Sequence, residues 1–269
     1  MSVVQAITPK VLQDRLASIA RELSANVDAL ALLALGSVGT ETDRLDNWSD
    51  LDFFVLVKDG AKQRFIGNLD WLAAAQPLAW HFQNTVDGHK ALMTDGVFCE
   101  FAVFEVHEIR RIPYAPGRFV WRRSEVDEGL ASPTLPVPAR PDPAWLVGEA
   151  LSNLIIGLQR YARGEKLAAM RMIQVYSLDR VLEFLEIHQP AFDEPLGARD
   201  FFNVDRRVER RSPQAMRALP QWAGGYEHTV SAALALLAAL DEHNVVPAGV
   251  SERIRQLAAM ARRDAEGEA

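Results

Sequence analysis

The 269-residue chain is 49% hydrophobic and carries 29 basic against 36 acidic residues, for a formal net charge of -7. A chain of this size can bury a core in one large domain or two modest ones, and its negative field argues against nonspecific binding to nucleic acid or anionic membrane. The single cysteine, Cys99, excludes an internal disulfide and a Cys-based metal cluster, which fits a reducing, cytoplasmic setting; the longest apolar run, residues 230–240, is too short to span a bilayer.

In chain order, Thr8-Pro9 reads as an N-cap followed by proline at the first helical position, and Val11, Leu12, Leu16, Ile19 and Leu23 continue at helical spacing. Residues 29–36 (ALALLALG) read as a short buried strand closed by glycine, and 51–57 (LDFFVLV) as a second strand with apolar residues on both faces. Strand-like runs follow at 77–83, 90–94 and 97–106, which predicts a mixed sheet of about five strands. Five prolines within residues 131–143 can continue neither a helix nor a central strand, so this stretch is read as a linker. Beyond it, Asp142-Pro143 repeats the cap-plus-proline start, and helices are expected at 143–163, 165–188, 198–211, 226–243 and 251–264. The expected organisation is a catalytic domain over 1–130, a linker over 131–143 and a helical domain over 144–269, in an α/β (α+β) chain.

Asp50 and Asp52 stand at the mouth of the second strand. Side chains alternate along a strand, so the two carboxylates share a side, with Cα atoms roughly 6.6 Å apart at about 3.3 Å per residue. Such a pair repels itself unless divalent cations neutralise it, and hard oxygen ligands suit magnesium, which also draws phosphate oxygens into its shell. Gly36-Ser37, just upstream, would let the backbone approach a ligand, while the serine hydroxyl and following amides hold a polyphosphate. A two-metal site needs a third acid from another strand. In residues 97–106, parity puts Phe98, Glu100, Ala102 and Phe104 on one face and Cys99, Phe101, Val103 and Glu105 on the other. Glu100 lies mid-strand among apolar residues, where an unassisted carboxylate is costly to bury; it is therefore the expected third ligand or general base, in preference to Glu105 near the strand end.

Gly36-Ser37, Asp50-Leu51-Asp52 and Glu100 together resemble the signature of the nucleotidyltransferase superfamily that includes DNA polymerase beta. The chain is most similar to the small antibiotic-modifying members, especially the lincosamide nucleotidyltransferases, in WSDLDFFVLVK, in GVFCEFAVF, in the proline-containing linker and in Gly157 followed by RGEKLAAM. Similarity of domain order covers nearly the whole chain, whereas the motifs are specific over residues 36–58 and 97–105.

The resemblance implies a nucleoside triphosphate, ATP by expectation, bound with two Mg2+ ions; attack of an acceptor hydroxyl on the α-phosphorus; and loss of pyrophosphate. Asp50, Asp52 and Glu100 would hold metal, Glu100 would take the proton, and Gly36 and Ser37 would seat the triphosphate. It further implies a small-molecule acceptor such as a lincosamide or aminoglycoside, a helical domain that contributes to the acceptor pocket, and a homodimer. No membrane partner is expected, and net acidity argues against nucleic acid.

Two other classes compete. Nucleotide-sugar glycosyltransferases also use Asp-x-Asp on a metal, but after on the order of a hundred residues of nucleotide-binding sheet, and Asp50 comes too early for that. A non-catalytic, antitoxin-like protein of the same fold would be expected to lack an acid. Elsewhere, Arg163-Gly164-Glu165-Lys166 reads as a helix break. Trp48, Trp80, Trp121 and Trp145 are candidates for stacking on a base or drug ring, with core packing adopted for most. His81 and His107 have no zinc spacing and are read as structural or exposed, and the arginine-rich run 204–217 as a solvated helix face.

Overall fold

The computed structural model describes residues 7–133, 139, 141–188 and 203–267. The chain divides into two compact units, Met1–Pro136 and Val137–Ala269, the first built on a mixed sheet and the second helical, so the class is α/β.

In the first unit, helix α1 (Pro9–Ala25) opens with Thr8, whose hydroxyl accepts from the Val11 amide at 3.3 Å, and Pro9 occupies the first helical position. Leu12, Leu16, Ile19 and Leu23 form its buried stripe. Next come β1 (Ala29–Ala34), β2 (Leu51–Val57), the short helices α2 (Lys62–Gly67) and α3 (Asp70–Ala75), and β3 (Leu78–Gln83). The unit continues with β4 (Gly88–Met93), β5 (Phe98–Glu105), α4 (Val106–Ile109) and β6 (Arg118–Arg122). The strand order is β3-β4-β5-β2-β1-β6; β2 and β5 run parallel, and every other neighbouring pair is antiparallel.

One face of the sheet packs Leu32, Leu51, Phe53, Val55, Cys99, Phe101 and Val103 against the apolar sides of α1, α2 and α3. The other buries Leu30, Leu33, Leu56 and Phe104 with Ile109, Tyr114, Val126 and Leu130. Burial on both faces is why β1 and β2 read as nearly continuous apolar runs. Lys62, buried on α2, joins the start of β4 to α4 at one end of the sheet by pairing with Asp87 at 2.5 Å and Glu108 at 2.7 Å.

His89 on β4 is only 5% exposed, its ring stacks on Phe101 at 5.6 Å, and neither ring nitrogen has a hydrogen-bond partner of good geometry. Burial, and then the nearby His81, lower its pKa, against a smaller opposing pull from the Ile66 carbonyl. An unfolded histidine takes a proton near pH 6.5 that folded His89 refuses, so stability is full above that pH and declines as the pH falls through it towards the lower folded value. Urea denaturation should therefore show wild-type stability dropping between about pH 7 and pH 5, and His89→Phe should flatten that slope. An unchanged slope in the variant would exclude His89 as its source.

The second unit begins with α5 (Pro143–Ala162), where the Asp142 carboxylate accepts from the Ala144 amide at 3.0 Å. There follow α6 (Lys166–Arg171), a π-helical stretch (Met172–Ser177) and α7 (Leu178–His188). After these come α8 (Val208–Arg211), α9 (Pro213–Trp222), α10 (Thr229–Asp241) and α11 (Ala248–Gly267). Leu146, Leu154, Leu158, Ile173, Leu182, Leu236, Leu240 and Ile254 share its core. At Gly157 a Cβ would lie 2.7 Å from the Ile173 side chain, so only glycine lets these segments pack so closely.

Five of the six strands were expected; β6 was not. Its sequence, RFVWR, is short, flanked by arginines and half-buried, so it carries little local signal, and its pairing with β1 supplies the stabilisation. Helix α9 was also missed, although Ser212-Pro213 repeats the cap-plus-proline signature and the Ser212 hydroxyl accepts from the Ala215 amide at 3.0 Å. Much of the proline-rich linker, and the first part of the helix expected over 198–211, lie outside the described residues. The break at Arg163-Gly164 is present, with Gly164 at φ +80° and Arg160 paired to Glu165 at 2.7 Å.

Candidate active site

Because β2 and β5 are parallel, both begin at the same end of the sheet, and their register sets Asp52 opposite Glu100, between the pairs Leu51–Cys99 and Phe53–Phe101. Opposite residues on neighbouring strands share a face, with strands about 4.8 Å apart. Leu51, Phe53, Cys99 and Phe101 go to the helix-covered side, so Asp52 and Glu100 go to the other, both half-buried. Asp50 lies just before β2 and is also half-buried. The loop leading to it is braced by Asp46, whose carboxylate accepts from the Trp48 amide at 2.8 Å and the Ser49 hydroxyl at 3.1 Å.

Gly36 follows β1, the strand on the far side of β2, and opens a short 3-10 turn, Gly36–Val38, that contains Ser37. Its φ of +54° lies in the left-handed region that favours glycine, and a Cβ there would sit 3.5 Å from Asp52 Oδ2, an ordinary contact distance, so the turn's backbone and that carboxylate face one another across the space of a single side-chain carbon. The Gly36 carbonyl accepts from the amides of Gly39 and Glu41, each at 3.1 Å. Arg118 on β6 holds the turn from outside by donating to the carbonyls of Val38 at 3.0 Å and Gly39 at 3.4 Å. Arg118 escaped sequence reasoning because its strand did.

On the opposite side of Glu100, the same row continues through Lys90 on β4 to Phe82 on β3. Lys90 Nζ lies 3.0 Å from Glu100 Oε2, with the two side chains 34% and 44% exposed. Trp80 pairs with Leu92 in the next row and contacts Phe82, at 5.0 Å between rings; Trp80 is 50% and Phe82 43% exposed. Core packing is therefore the wrong reading for Trp80, as it is for Trp48 and Trp145, both well exposed. The half-buried Trp121 instead packs against the first-unit core and carries the Arg123 guanidinium over its ring at 5.5 Å.

The structure thus brings Gly36, Asp52 and Glu100 together, with Ser37 one residue beyond and Asp50 at the strand entrance. The ligand oxygens of Asp50, Asp52 and Glu100 do not all lie within 4.8 Å of one another; among the described residues the group that meets this spacing is Asp59, Glu105 and His107. Glu100 is turned to Lys90 instead. The second group sits at the other end of the same strand pair, where Val57 faces Glu105. His107 Nδ1 is 3.5 Å from Asp59 and 3.7 Å from Glu105, so this histidine does have acidic neighbours that its sequence spacing concealed. Glu105 is already engaged there: it accepts from the Gly60 amide at 2.7 Å and caps α4.

No protein-family model and no curated protein matches the chain. Among solved structures it is similar to an aminoglycoside 6-adenyltransferase from Bacillus subtilis, at 14% identity over 92% of this chain and 91% of that one, with a TM-score of 0.33. It is also similar to a nucleotidyltransferase-like protein from Exiguobacterium sibiricum, at 11% identity over 86% and 74% and a TM-score of 0.31. A STING-associated CdnE cyclic di-GMP synthase from Capnocytophaga granulosa matches at 13% identity over 98% and 83%, with a TM-score of 0.30. No described helix is long and apolar enough to cross a membrane.

Proposed function

We propose that the chain is a metal-dependent nucleotidyltransferase that moves a nucleoside monophosphate from a triphosphate, with ATP the first candidate, to a hydroxyl of a small molecule. The observation that carries this reading is the cross-strand pairing of Asp52 with Glu100 beside the backbone of Gly36. The donor set of Asp50, Asp52 and Glu100 is all carboxylate oxygen, which suits magnesium, and the ammonium of Lys90 against Glu100 marks that carboxylate as a seat for positive charge. Two magnesium ions held by these residues would supply Lewis-acid polarisation of the phosphates and ease ionisation of the attacking hydroxyl.

The chain's own residues account for the remainder. Ser37 and the amides after Gly36 hold the triphosphate tail on the β1 side of Asp52, which leaves the Glu100 side for the acceptor. Glu100 accepts the proton as the acceptor oxygen bonds to the α-phosphorus, and the bond to the bridging oxygen breaks with its electron pair leaving on pyrophosphate. The exposed Trp80 and Phe82 lie two strands beyond Glu100 on the same face and offer an apolar bed for the acceptor's ring.

Purified protein incubated with magnesium and α-labelled ATP should label at least one acceptor from a panel of lincosamides and aminoglycosides. Absence of magnesium-dependent nucleotide binding by calorimetry would end the catalytic reading. Binding without transfer to any acceptor would instead favour the non-catalytic, antitoxin-like alternative or a different acceptor class.

A further inference from the structure

Lys90 belongs to no motif and serves no step above, yet its ammonium is the cation nearest the proposed third metal ligand among the ion pairs of the described residues. Its position follows from register: Lys90 faces Glu100 across β4 and β5, and Glu100 faces Asp52 across β5 and β2. Asp52 and Glu100 are like charges directly opposite one another, an arrangement that destabilises a sheet. Lys90 offsets that repulsion from the far side and holds Glu100 Oε2 at 3.0 Å. A divalent ion entering between the carboxylates competes with Lys90 for the negative charge of Glu100.

We propose that Lys90 is a positioning residue that serves as the exchangeable counter-cation of Glu100: it occupies the carboxylate until a divalent ion takes it, and so weakens the binding of metal in the absence of nucleotide. This rests on the nucleotidyltransferase reading of the site. The released ammonium needs an anion, and the phosphates that accompany the metal supply one. Lys90 thereby couples metal entry to nucleotide entry. The pair is partly exposed, so the effect is modest: an exchange energy in the range of accessible ion pairs corresponds to roughly two- to fivefold in metal affinity.

The test is Mn2+ binding, followed by the paramagnetic resonance of free Mn2+, in a His107→Ala background that disables the Asp59–Glu105–His107 group. Lys90→Met should bind Mn2+ about threefold more tightly than its parent, Lys90→Arg should match the parent, and circular dichroism should show all of them folded. In a Glu100→Gln background the Lys90→Met effect should vanish, because the negative charge they compete for is gone. A non-hydrolysable ATP analogue should strengthen Mn2+ binding by a larger factor in the parent than in Lys90→Met. Unchanged or weaker Mn2+ binding in folded Lys90→Met, an effect that persists in Glu100→Gln, or an equal gain from the analogue would each overturn the proposal. If Glu100→Gln alone leaves Mn2+ affinity untouched, the acidic site is not the metal site and the functional reading falls too; loss of the Lys90 effects alone leaves that reading standing.

Discussion

Asp52→Asn lowers nucleotidyl transfer by on the order of 10²–10³-fold, the loss that follows removal of one charge-stabilising group from a preorganised site, while the urea midpoint does not fall. The two halves of this expectation come from the same geometry. Asp52 stands opposite Glu100 and its carboxylate faces Gly36, so it is central to any cation held between β2 and β5. Asparagine keeps the size and the polar reach of the side chain but removes the negative charge that a magnesium ion requires. It also relieves the repulsion between Asp52 and Glu100, which costs stability in the absence of metal. A site residue whose loss spares the fold and removes the activity is the signature of strain kept for function. The assay is transfer of α-label with protein concentration corrected for folded fraction; near-wild-type transfer would refute the assignment of Asp52, and a large fall in the urea midpoint would show that its role is structural.

Phe53→Ala, one residue further on, reverses the pattern and removes about 3–5 kcal/mol of stability, the usual cost of truncating a buried aromatic. Phe53 is fully buried, stacks on Phe101 with 5.2 Å between ring centres, and sits in register with Phe101 on one side and Ala34 on the other. It therefore locks β2 between β1 and β5. A slip of one residue would exchange the two faces, sending Asp52 into the apolar layer, so the fold has a strong reason to keep the register that sets Asp52 opposite Glu100. Chemical denaturation measures the loss directly. The protein that remains folded should retain transfer activity per mole, because Phe53 points away from the acids into the layer beneath α1, α2 and α3.

Much of this architecture is legible in local chemistry. Thr8-Pro9 and Asp142-Pro143 mark helix starts through hydroxyl and carboxylate caps that act over three residues. Alternation along β5 places Glu100 on the Phe104 face and Glu105 on the other, while the choice between them rested on the cost of burying a mid-strand carboxylate. Glu105 proves to be committed to backbone amides at the other end of the strand. At Ser212-Pro213 the local signal is present, but within an arginine-rich run that reads as one solvated helix face it does not stand out as the start of a separate helix.

What the amino-acid order by itself determined about this protein is five of the six strands, the longer helices and the alternation of side chains along them, because capping and two-residue or 3.6-residue periodicity act within a few residues. Only the tertiary structure decided who stands next to whom. The parallel pairing of β2 with β5, 48 positions apart in the register Asp52–Glu100, is set by burial of the whole apolar layer rather than by any short motif. Pairing of β4 with β5 brings Lys90 to Glu100, pairing of β1 with β6 brings Arg118 to the Gly36 turn, and the β2–β5 pairing brings His107 to Asp59, contacts that exist because strand neighbours in space need not be neighbours in the chain.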